Sequence, residues 1–469
     1  MLAAAVGLSI LMLSTVPAAV AAAPESLQQA VAAVRSQYRI PGLVVVVVNK
    51  AGIEQVETQG LSADAALPIG STSKQFTGLI LQQLVAQGRL SLDQRLDAVL
   101  PEAAGSAFAA VTMAQLLSHR SGLLTGAGAE WNIWPPVTTI RDEARRLLAG
   151  SPASTPGSEF VYSNANYTLL GAVIEAITDA SYADALQGMV AGPLALQHTT
   201  ADLAQARAAS VAGHYPWLGG IVAETPQPQW PLAAPSAMVS STANDLATVA
   251  RAHLGGSAAV SPQVLAAARE PLNREDEWLE YASGLERRAF WQLSDENLGW
   301  QDPALPVWFE HHGNTLRTFS YLGFSPDHDL GVALLGDTSF GIDQDAQGVV
   351  VDRIIHAIVQ TKAAKVAVDP LIAAGPAIMV LVPLAQAAAL VWLARSRRLL
   401  PALVALAVSL VTAALCFWVV PQRTDTRVFS SAFLASVPDL AISLWLATAL
   451  AGGAVLLVAV RTIRAAFLR

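Results

Sequence analysis

Residues 42–58 read GLVVVVVNKAGIEQVET, and they decide the fold class that the sequence predicts. The β-branched run is typical of a strand buried on both faces, Ala51-Gly52 of a turn, and the alternation that follows of a return strand. Strand-like stretches come back at 318–324 and 330–335, and helical spacing prevails in between. Strands at both ends of a helical region predict an α+β domain. In it an antiparallel sheet is flanked by N- and C-terminal helices and carries a large helical insertion.

The composition excludes several classes of protein. With 469 residues the chain is too long for a single core, and 53% hydrophobic against 14% charged residues excludes a disordered chain. Residues 1–370 have a net charge of −14 and residues 371–469 one of +6, so nucleic acid is a poor partner for the long acidic part. Cys416 is the only cysteine, which excludes an intrachain disulfide and a cysteine-based metal site.

The first residues predict export from the cytoplasm. Residues 1–23 combine an apolar core with small residues at 19–23 that offer an A-x-A-like cleavage site, as in a signal peptide. No Lys or Arg precedes the apolar core, so a retained N-terminal membrane helix is the alternative. Either way, residues 24–366 form the exported domain.

Three uncharged runs in the basic tail predict transmembrane helices. They cover residues 371–394, 399–422 and 440–460, and each reaches the ~20 residues that a helix needs to cross a bilayer. Arg is concentrated at 395–398 and at the C-terminus, which places both on the cytoplasmic side and residues 24–366 on the outer side. Buried helices of a soluble domain are the alternative interpretation.

The segment 69–76, IGSTSKQF, holds a candidate nucleophile and a candidate base. Helical spacing begins at Phe76, so Ser71 lies at the start of a helix and Lys74 follows three residues later on the same face. A nearby base activates a Ser hydroxyl, and the free N–H groups of a helix start favour developing negative charge. The S-x-x-K pattern alone is weak, because an N-capping Ser followed by a solvated Lys explains it equally well.

Two further segments carry side chains suited to the same chemistry. Tyr162 and Asn164 form a Y-x-N pattern before a helix, which suits a phenolate-like base and a substrate-facing amide, or a packed ring and a helix cap. Residues 310–314, EHHGN, precede a predicted strand whose edge offers a backbone N–H to an oxyanion. The alternative for the paired His is a surface loop or an adventitious metal site, and no metal-ligand pattern accompanies them.

S-x-x-K, Y-x-N and [K/H]-x-G in this order resemble the serine β-lactamase and D,D-peptidase superfamily. The variant is that of class C β-lactamases, certain D,D-carboxypeptidases, D-aminopeptidases and related esterases. The resemblance covers about residues 26–360, and the flanking segments that extend it are 88–93, 100–102, 116–123 (LLSHRSGL) and 241–245. It implies a β-lactamase/transpeptidase-like fold and an acyl-enzyme mechanism on a small-molecule or peptide substrate, with no cofactor and no metal.

The resemblance implies a role for each motif residue. Ser71 is implied as the acylated nucleophile, and Lys74 and Tyr162 as the groups that share the proton transfers. Asn164 is implied to orient the substrate or Lys74. The backbone N–H groups of Ser71 and Asn314 form the implied oxyanion hole.

The third motif departs from the commonest family pattern. His311, followed by Gly313, takes the place of the family's strand Lys, and His312 stands where a small Thr usually contacts the substrate carboxylate. Ser236-Ala237 stands where Gly-Gly is frequent. These differences weaken the expectation of β-lactam recognition. If a protonated His311 supports the phenolate of Tyr162, activity falls as His311 loses its proton.

Other polar and aromatic residues are expected to be structural. His119 and Ser121 of the 116–123 segment belong to the family signature without an implied chemical role. Trp131, Trp134 and Trp230 are candidates for the lining of a pocket, but a core role is more typical of such residues.

Together the patterns predict a membrane-anchored serine hydrolase of the bacterial inner (cell) membrane, with its catalytic domain on the periplasmic or extracellular side. It would cleave amides or esters, D-amino-acid peptides of the cell wall among them. The alternative is a penicillin-binding-like sensor that captures a ligand without turnover while the tail passes a signal. The sequence carries no indication of oligomeric state.

Overall fold

An antiparallel sheet lies at the centre of the computed structural model of the chain. The residues that the structure describes are 25–124, 139–217, 221–225, 231–274, 279–289, 307–340, 345–360, 370–395, 404, 407 and 438–467. The predicted signal peptide 1–23, the three Trp residues 131, 134 and 230, and nearly all of the predicted span 399–422 lie outside these ranges.

The strands, in chain order, are β1 Leu43–Val48, β2 Ile53–Gln59, β3 Leu67–Pro68, β4 Gly213–Trp217, β5 Ile221–Thr225, β6 Ser240–Ser241, β7 Asn273–Arg274, β8 Leu279–Tyr281, β9 Glu286–Ala289, β10 Val307–Asn314, β11 Phe319–Ser325 and β12 Leu330–Gly336. Within the described ranges the main sheet has eight strands in the order β2-β1-β12-β11-β10-β9-β8-β7. Its neighbouring strands all pair antiparallel.

The helices are α1 Leu27–Tyr38, α2 Ser73–Ala86, α3 Leu96–Val99, α4 Met113–Leu117, α5 Ile140–Leu148, α6 Asn164–Thr178, α7 Tyr182–Leu186, α8 Leu203–Ala209, α9 Ala243–His253, α10 Pro262–Arg269, α11 Asp345–Ile358, α12 Pro370–Arg395 and α13 Pro438–Phe467. Helices α2 to α10 all lie between β2 and β8 in the chain. The predicted α+β fold, with terminal helices and a helical insertion, is therefore confirmed.

Both faces of β1 are buried, which is the physical reason for its run of valines. Val44, Val46 and Val48 lie in the large core that contains the apolar residues of α2 and α9. Leu43, Val45 and Val47 lie in a second core with α1 and α11. Successive side chains of a strand point to opposite faces, so a strand between two cores needs an apolar residue at every position.

Several strands were not predicted, among them β4 and β5, which form a separate two-stranded sheet. The hairpin of β4 and β5 contains the sequence His-Tyr-Pro-Trp, which has no strand alternation. It is held by tertiary contacts instead, since the backbone N–H of His214 donates to the carbonyl oxygen of Asp337 at 2.7 Å. Strand β10 begins at Val307 and includes the His-x-Gly motif, which the sequence placed before a strand rather than within one.

The tail helices α12 and α13 contact each other, and α13 also contacts strand β4. Ala389 and Leu393 of α12 cluster with Ala454 of α13. The hydroxyl of Tyr215 in β4 donates to the carboxylate of Asp439, near the start of α13, at 2.7 Å. Within the described part of the chain, no helix has both the length and the hydropathy needed to cross a bilayer. The three membrane spans stay a prediction.

Candidate active site

Ser71 lies on a single 3₁₀ turn, Gly70–Thr72, that leads directly into α2. Gly70 has a φ of 54°, and a Cβ atom on it would lie 2.3 Å from the amide nitrogen of Asn314. Glycine alone fits a left-handed position so close to another backbone. The turn therefore places the partly buried Ser71 beside the end of β10.

Lys74 is fully buried in the first turn of α2, and three oxygen atoms surround its Nζ atom. They are Oγ of Ser71 at 2.9 Å, Oδ1 of Asn164 at 2.7 Å and the carbonyl oxygen of Ser236 at 2.8 Å. Helical geometry brings residues three apart onto one face, which explains the contact between Ser71 and Lys74. The other two contacts come from α6 and from the turn Ala234–Met238.

Tyr162 reaches the same hydroxyl from the other side. Its phenol donates a hydrogen bond to Oγ of Ser71 at 2.8 Å, and Nζ of Lys74 lies 4.8 Å from the centre of its ring. Tyr162 stands two residues before α6, and Asn164 is the first residue of that helix. The Y-x-N spacing thus allows the phenol of Tyr162 to contact Ser71 while the amide of Asn164 contacts Lys74.

His311 and Gly313 form the third wall of the site. The ring of His311 is only 2% exposed and its centre lies 6.3 Å from that of Tyr162. A Cβ atom on Gly313 would lie 1.9 Å from the carbonyl oxygen of Ile69, so this strand position has no room for a side chain. The three motifs that the sequence singled out therefore meet in one place.

Comparison with known proteins agrees with this geometry. Residues 27–352 match the family model described as Beta-lactamase. The chain belongs to the β-lactamase family. Its motif residues and the match together make it a serine hydrolase of that family.

Relatives in the β-lactamase family include curated proteins and solved structures. Penicillin-binding protein 4 of Amycolatopsis lactamdurans is 29% identical over 66% of this chain and 85% of its own length. The Beta-lactamase of Escherichia coli strain K12 is 23% identical over 65% of this chain and 86% of its own. A class C beta lactamase from Rhodobacter sphaeroides shares the fold with a TM-score of 0.59 and 24% identity, covering 71% of this chain and 99% of that one.

Burial determines the charge of the two groups that contact Ser71. Desolvation holds the pKa of the Lys74 ammonium well below its usual value, and the negative charge of Glu286 only partly opposes this. Desolvation also raises the pKa of the Tyr162 phenol, and the hydrogen bond to Ser71 offsets this only in part. Since a buried charge is unfavourable, the site favours a neutral amine with a neutral phenol.

A neutral Lys74 can activate Ser71 directly. A primary amine has two N–H groups and one lone pair, and the Asn164 and Ser236 oxygens can only accept hydrogen bonds. These two oxygens therefore take both N–H groups, and the lone pair is left for the hydroxyl of Ser71. Tyr162 at the same time donates to Oγ. In this arrangement a neutral Lys74 can accept the Ser71 proton directly, without first losing a proton of its own.

His311 differs from the sequence-based hypothesis. Its Nε2 atom lies 3.1 Å from the hydroxyl of Tyr281, and its Nδ1 atom lies 2.6 Å from the carbonyl oxygen of His312. Burial lowers the pKa of His311 to about 4, against the opposing charge of Glu286. The ring is therefore neutral at neutral pH. The hypothesis of a protonated His311 that supports a phenolate does not agree with this burial.

The other two departures from the family pattern lie at His312 and at Ser236. His312 faces away from His311, because consecutive strand residues point to opposite sides. Its Nε2 atom lies 3.9 Å from the carboxylate of Glu310, and its ring centre lies 5.0 Å from that of Tyr321. Ser236 contributes its backbone carbonyl to Lys74.

Sequence reasoning missed two buried residues behind the motifs, Tyr281 and Asn166. Tyr281 contacts His311, and Asn166 contacts His119 with its amide nitrogen at 3.1 Å. Asn166 follows the Y-x-N motif by two residues, which is a signal that the spacing offered; Tyr281 has none. Among the described residues no cluster of His, Cys, Asp and Glu could hold a metal ion.

Proposed function

We propose that the chain hydrolyses amides or esters through an acyl-enzyme formed on Ser71. The observation that carries the proposal is the position of Lys74 Nζ, 2.9 Å from Oγ and held by two oxygens that can only accept. A buried neutral amine in contact with a hydroxyl is the base that a Ser nucleophile requires.

The proposed steps use five residues. Oγ of Ser71 attacks the substrate carbonyl carbon while its proton passes to Lys74, and the N–H groups of Ser71 and Asn314 stabilise the oxyanion. When the C–N or C–O bond breaks, the leaving group takes a proton, which Tyr162 delivers and Lys74 replaces. Water then adds to the acyl carbon and loses its proton to the same pair, which returns a proton to Oγ of Ser71 as the bond between Oγ and the acyl carbon breaks. Asn164 keeps Lys74 oriented throughout.

Active-site labelling tests this proposal. The full chain, in membranes or detergent, is incubated with a fluorophosphonate or a fluorescent penicillin, and the labelled residue is identified by peptide mass spectrometry. We expect label on Ser71 and none in Ser71→Ala, with turnover of amide or ester substrates. An intact protein that takes no label would refute the nucleophile. Label without turnover of any substrate in a panel would favour the ligand-capturing sensor.

We further propose that residues 1–23 are a signal peptide and that residues 371–394, 399–422 and 440–460 anchor residues 24–366 on the outer side of the bacterial inner membrane. The uncharged runs and the Arg distribution support this. So do exposed apolar side chains on the tail helices, such as Leu381, Leu384 and Leu446, since large exposed apolar surfaces are unfavourable in water.

Membrane extraction tests the anchoring. We expect the full chain to stay in the membrane pellet after alkaline carbonate treatment, and external protease to cleave it in intact spheroplasts. Release into the supernatant would argue against the three spans. Protection of residues 24–366 in intact spheroplasts, with cleavage after lysis, would reverse the proposed orientation.

A further inference from the structure

A buried chain of polar groups connects His311 to the family signature at 116–123. The Tyr281 hydroxyl lies 3.1 Å from Nε2 of His311 and 3.2 Å from Nε2 of His119. Tyr281 and His119 are both fully buried, and His311 is 2% exposed. Tyr281 belongs to β8, His119 follows α4, and His311 belongs to β10. The hydrogen-bonded groups therefore link elements that are far apart in sequence.

The hydrogen-bond partners at the two ends of this series, His119 and His311, determine where its protons lie. At the His119 end, Nδ1 faces the backbone N–H of Ser163 at 3.2 Å and the amide nitrogen of Asn166 at 3.1 Å, and both of these can only donate. The hydroxyl of Ser121, which donates to Oδ1 of Asn166 at 2.5 Å, keeps that amide in this orientation. Nδ1 of His119 is therefore the acceptor, and Nε2 carries the proton that it donates to Tyr281.

At the other end, the backbone of β10 determines the tautomer of His311. Nδ1 of His311 lies 2.6 Å from the carbonyl oxygen of His312, which can only accept, so Nδ1 carries a proton. In the neutral ring Nε2 is then an acceptor, and Tyr281 is the donor that reaches it. Tyr167 also lies beside Tyr281, but its own hydroxyl donates to the carbonyl oxygen of Leu117. A Tyr281 proton turned toward Tyr167 would leave the buried Nε2 without its donor.

His119, one of these hydrogen-bonded groups, also contacts the Y-x-N segment. Ser163, between Tyr162 and Asn164, is the cap residue of α6 and makes no side-chain cap bond; its N–H is taken by His119. The ring of His119 also lies along that of Tyr162, with centres 4.4 Å apart and planes 33° apart. A shift of His119 would therefore move Tyr162 and Asn164 together.

We propose that Tyr281 and His119 are positioning residues, which keep His311 as a neutral Nδ1–H tautomer and hold Tyr162 at the Ser71 hydroxyl. In this state both nitrogens of His311 are occupied by the protein, so His311 supports the shape of the site and supplies no cation to the substrate. The inference rests on the proposed function, because it assigns Tyr162 to the reaction. It also assigns a positioning role to His119 of the 116–123 signature.

The variant Tyr281→Phe tests this, because it keeps the ring and removes only the hydroxyl. The matched control is Tyr182→Phe: Tyr182 is equally buried, and its hydroxyl contacts Thr77 at 2.7 Å, outside the chain of groups. We expect Tyr281→Phe to slow acylation of Ser71 by a fluorophosphonate about 10- to 100-fold, the effect typical of a misplaced catalytic group. Tyr182→Phe should label at the wild-type rate.

A second readout reports on His311 without any reaction. In ¹⁵N-histidine-labelled full chain at pH 7, long-range ¹H–¹⁵N NMR should show His311 as a neutral Nδ1–H ring, assigned through its loss in His311→Asn. In Tyr281→Phe the Nε2–H tautomer should become populated. A protonated or Nε2–H ring in the wild type, an unchanged tautomer in Tyr281→Phe, or wild-type acylation by that variant would each overturn the proposal. Failure of Ser71 to label in the wild type would refute the proposed function alone, since the tautomer is measured independently.

Discussion

Replacing Asn164 by Asp should shift the pH dependence of acylation to higher pH. Oδ1 of Asn164 lies 2.7 Å from Nζ of the fully buried Lys74, so the substitution puts a carboxylate in direct contact with the amine at almost no change in size. A carboxylate at this position stabilises the ammonium, which has no lone pair for the Ser71 proton.

The distance determines the magnitude. Two unit charges about 3 Å apart interact by ~5–6 kcal/mol at an effective dielectric constant near 20, which corresponds to roughly four units in the pKa of Lys74. Asn164 is only partly buried, so solvent screening reduces this upper value, and we expect a shift of at least about two units.

The assay is the second-order rate of fluorophosphonate labelling of Ser71 between pH 4 and pH 10, with a neutral probe. The acidic limb of the wild-type profile should move upward in Asn164→Asp and part of the rate should return at alkaline pH. Asn164→Leu is the control of similar size without charge, and it should lower the rate without moving the limb upward. An unshifted limb with wild-type labelling in Asn164→Asp would refute Lys74 as the base.

Three other predictions concern proton transfer, pH and packing. Tyr162→Phe removes the hydrogen bond to Ser71 and should lower kcat/KM about 10²- to 10⁴-fold with an unchanged Tm. Burial lowers the pKa of His253 to about 3, whereas the unfolded chain binds this proton once the pH falls below ~6.5, so acid favours the unfolded state. His253→Phe removes the group and should therefore lose about 2 kcal/mol less stability than the wild type between pH 7 and pH 5. Urea unfolding at the two pH values measures this difference. Gly78→Ala places a Cβ atom 1.9 Å from the carbonyl oxygen of Ser283 and should destabilise the domain by about 1–3 kcal/mol.

The Tyr162 and Gly78 variants each have a matched control. For Tyr162→Phe the control is Tyr182→Phe, which removes a buried phenol hydroxyl that does not contact Ser71. Gly188→Ala adds a Cβ that meets no atom of the described residues within 4 Å and should leave Tm nearly unchanged. A control that behaves like its partner variant would contradict the corresponding mechanism.

Much of the fold was predictable because periodicity reports burial. The all-apolar run of β1 predicted a strand between two layers, and the helix at 343–360 was found at Asp345–Ile358. Strand β11 was found at Phe319–Ser325, one residue from its predicted position. The hairpin of β4 and β5 was not predictable in this way, because its strands are held by contacts with Asp337 rather than by an alternating pattern.

The sequence by itself determined which residues meet. Ser71 and Lys74 share a helix face through their spacing, and Tyr162 and Asn164 lie at the start of another helix, where their side chains reach the same point. Their order along the chain was enough to indicate the family. Local spacing carries this information because it is a property of a single helix or strand.

Only the tertiary structure decided the protonation states. The lowered pKa of the Lys74 ammonium, the lowered pKa of His311 and the link from His311 through Tyr281 to His119 all depend on burial by elements far apart in the chain. Desolvation and hydrogen-bond partners set the pKa of a group, and both are contributed by neighbours in space. A motif names the groups that can react, and the packing around them decides which one carries the proton.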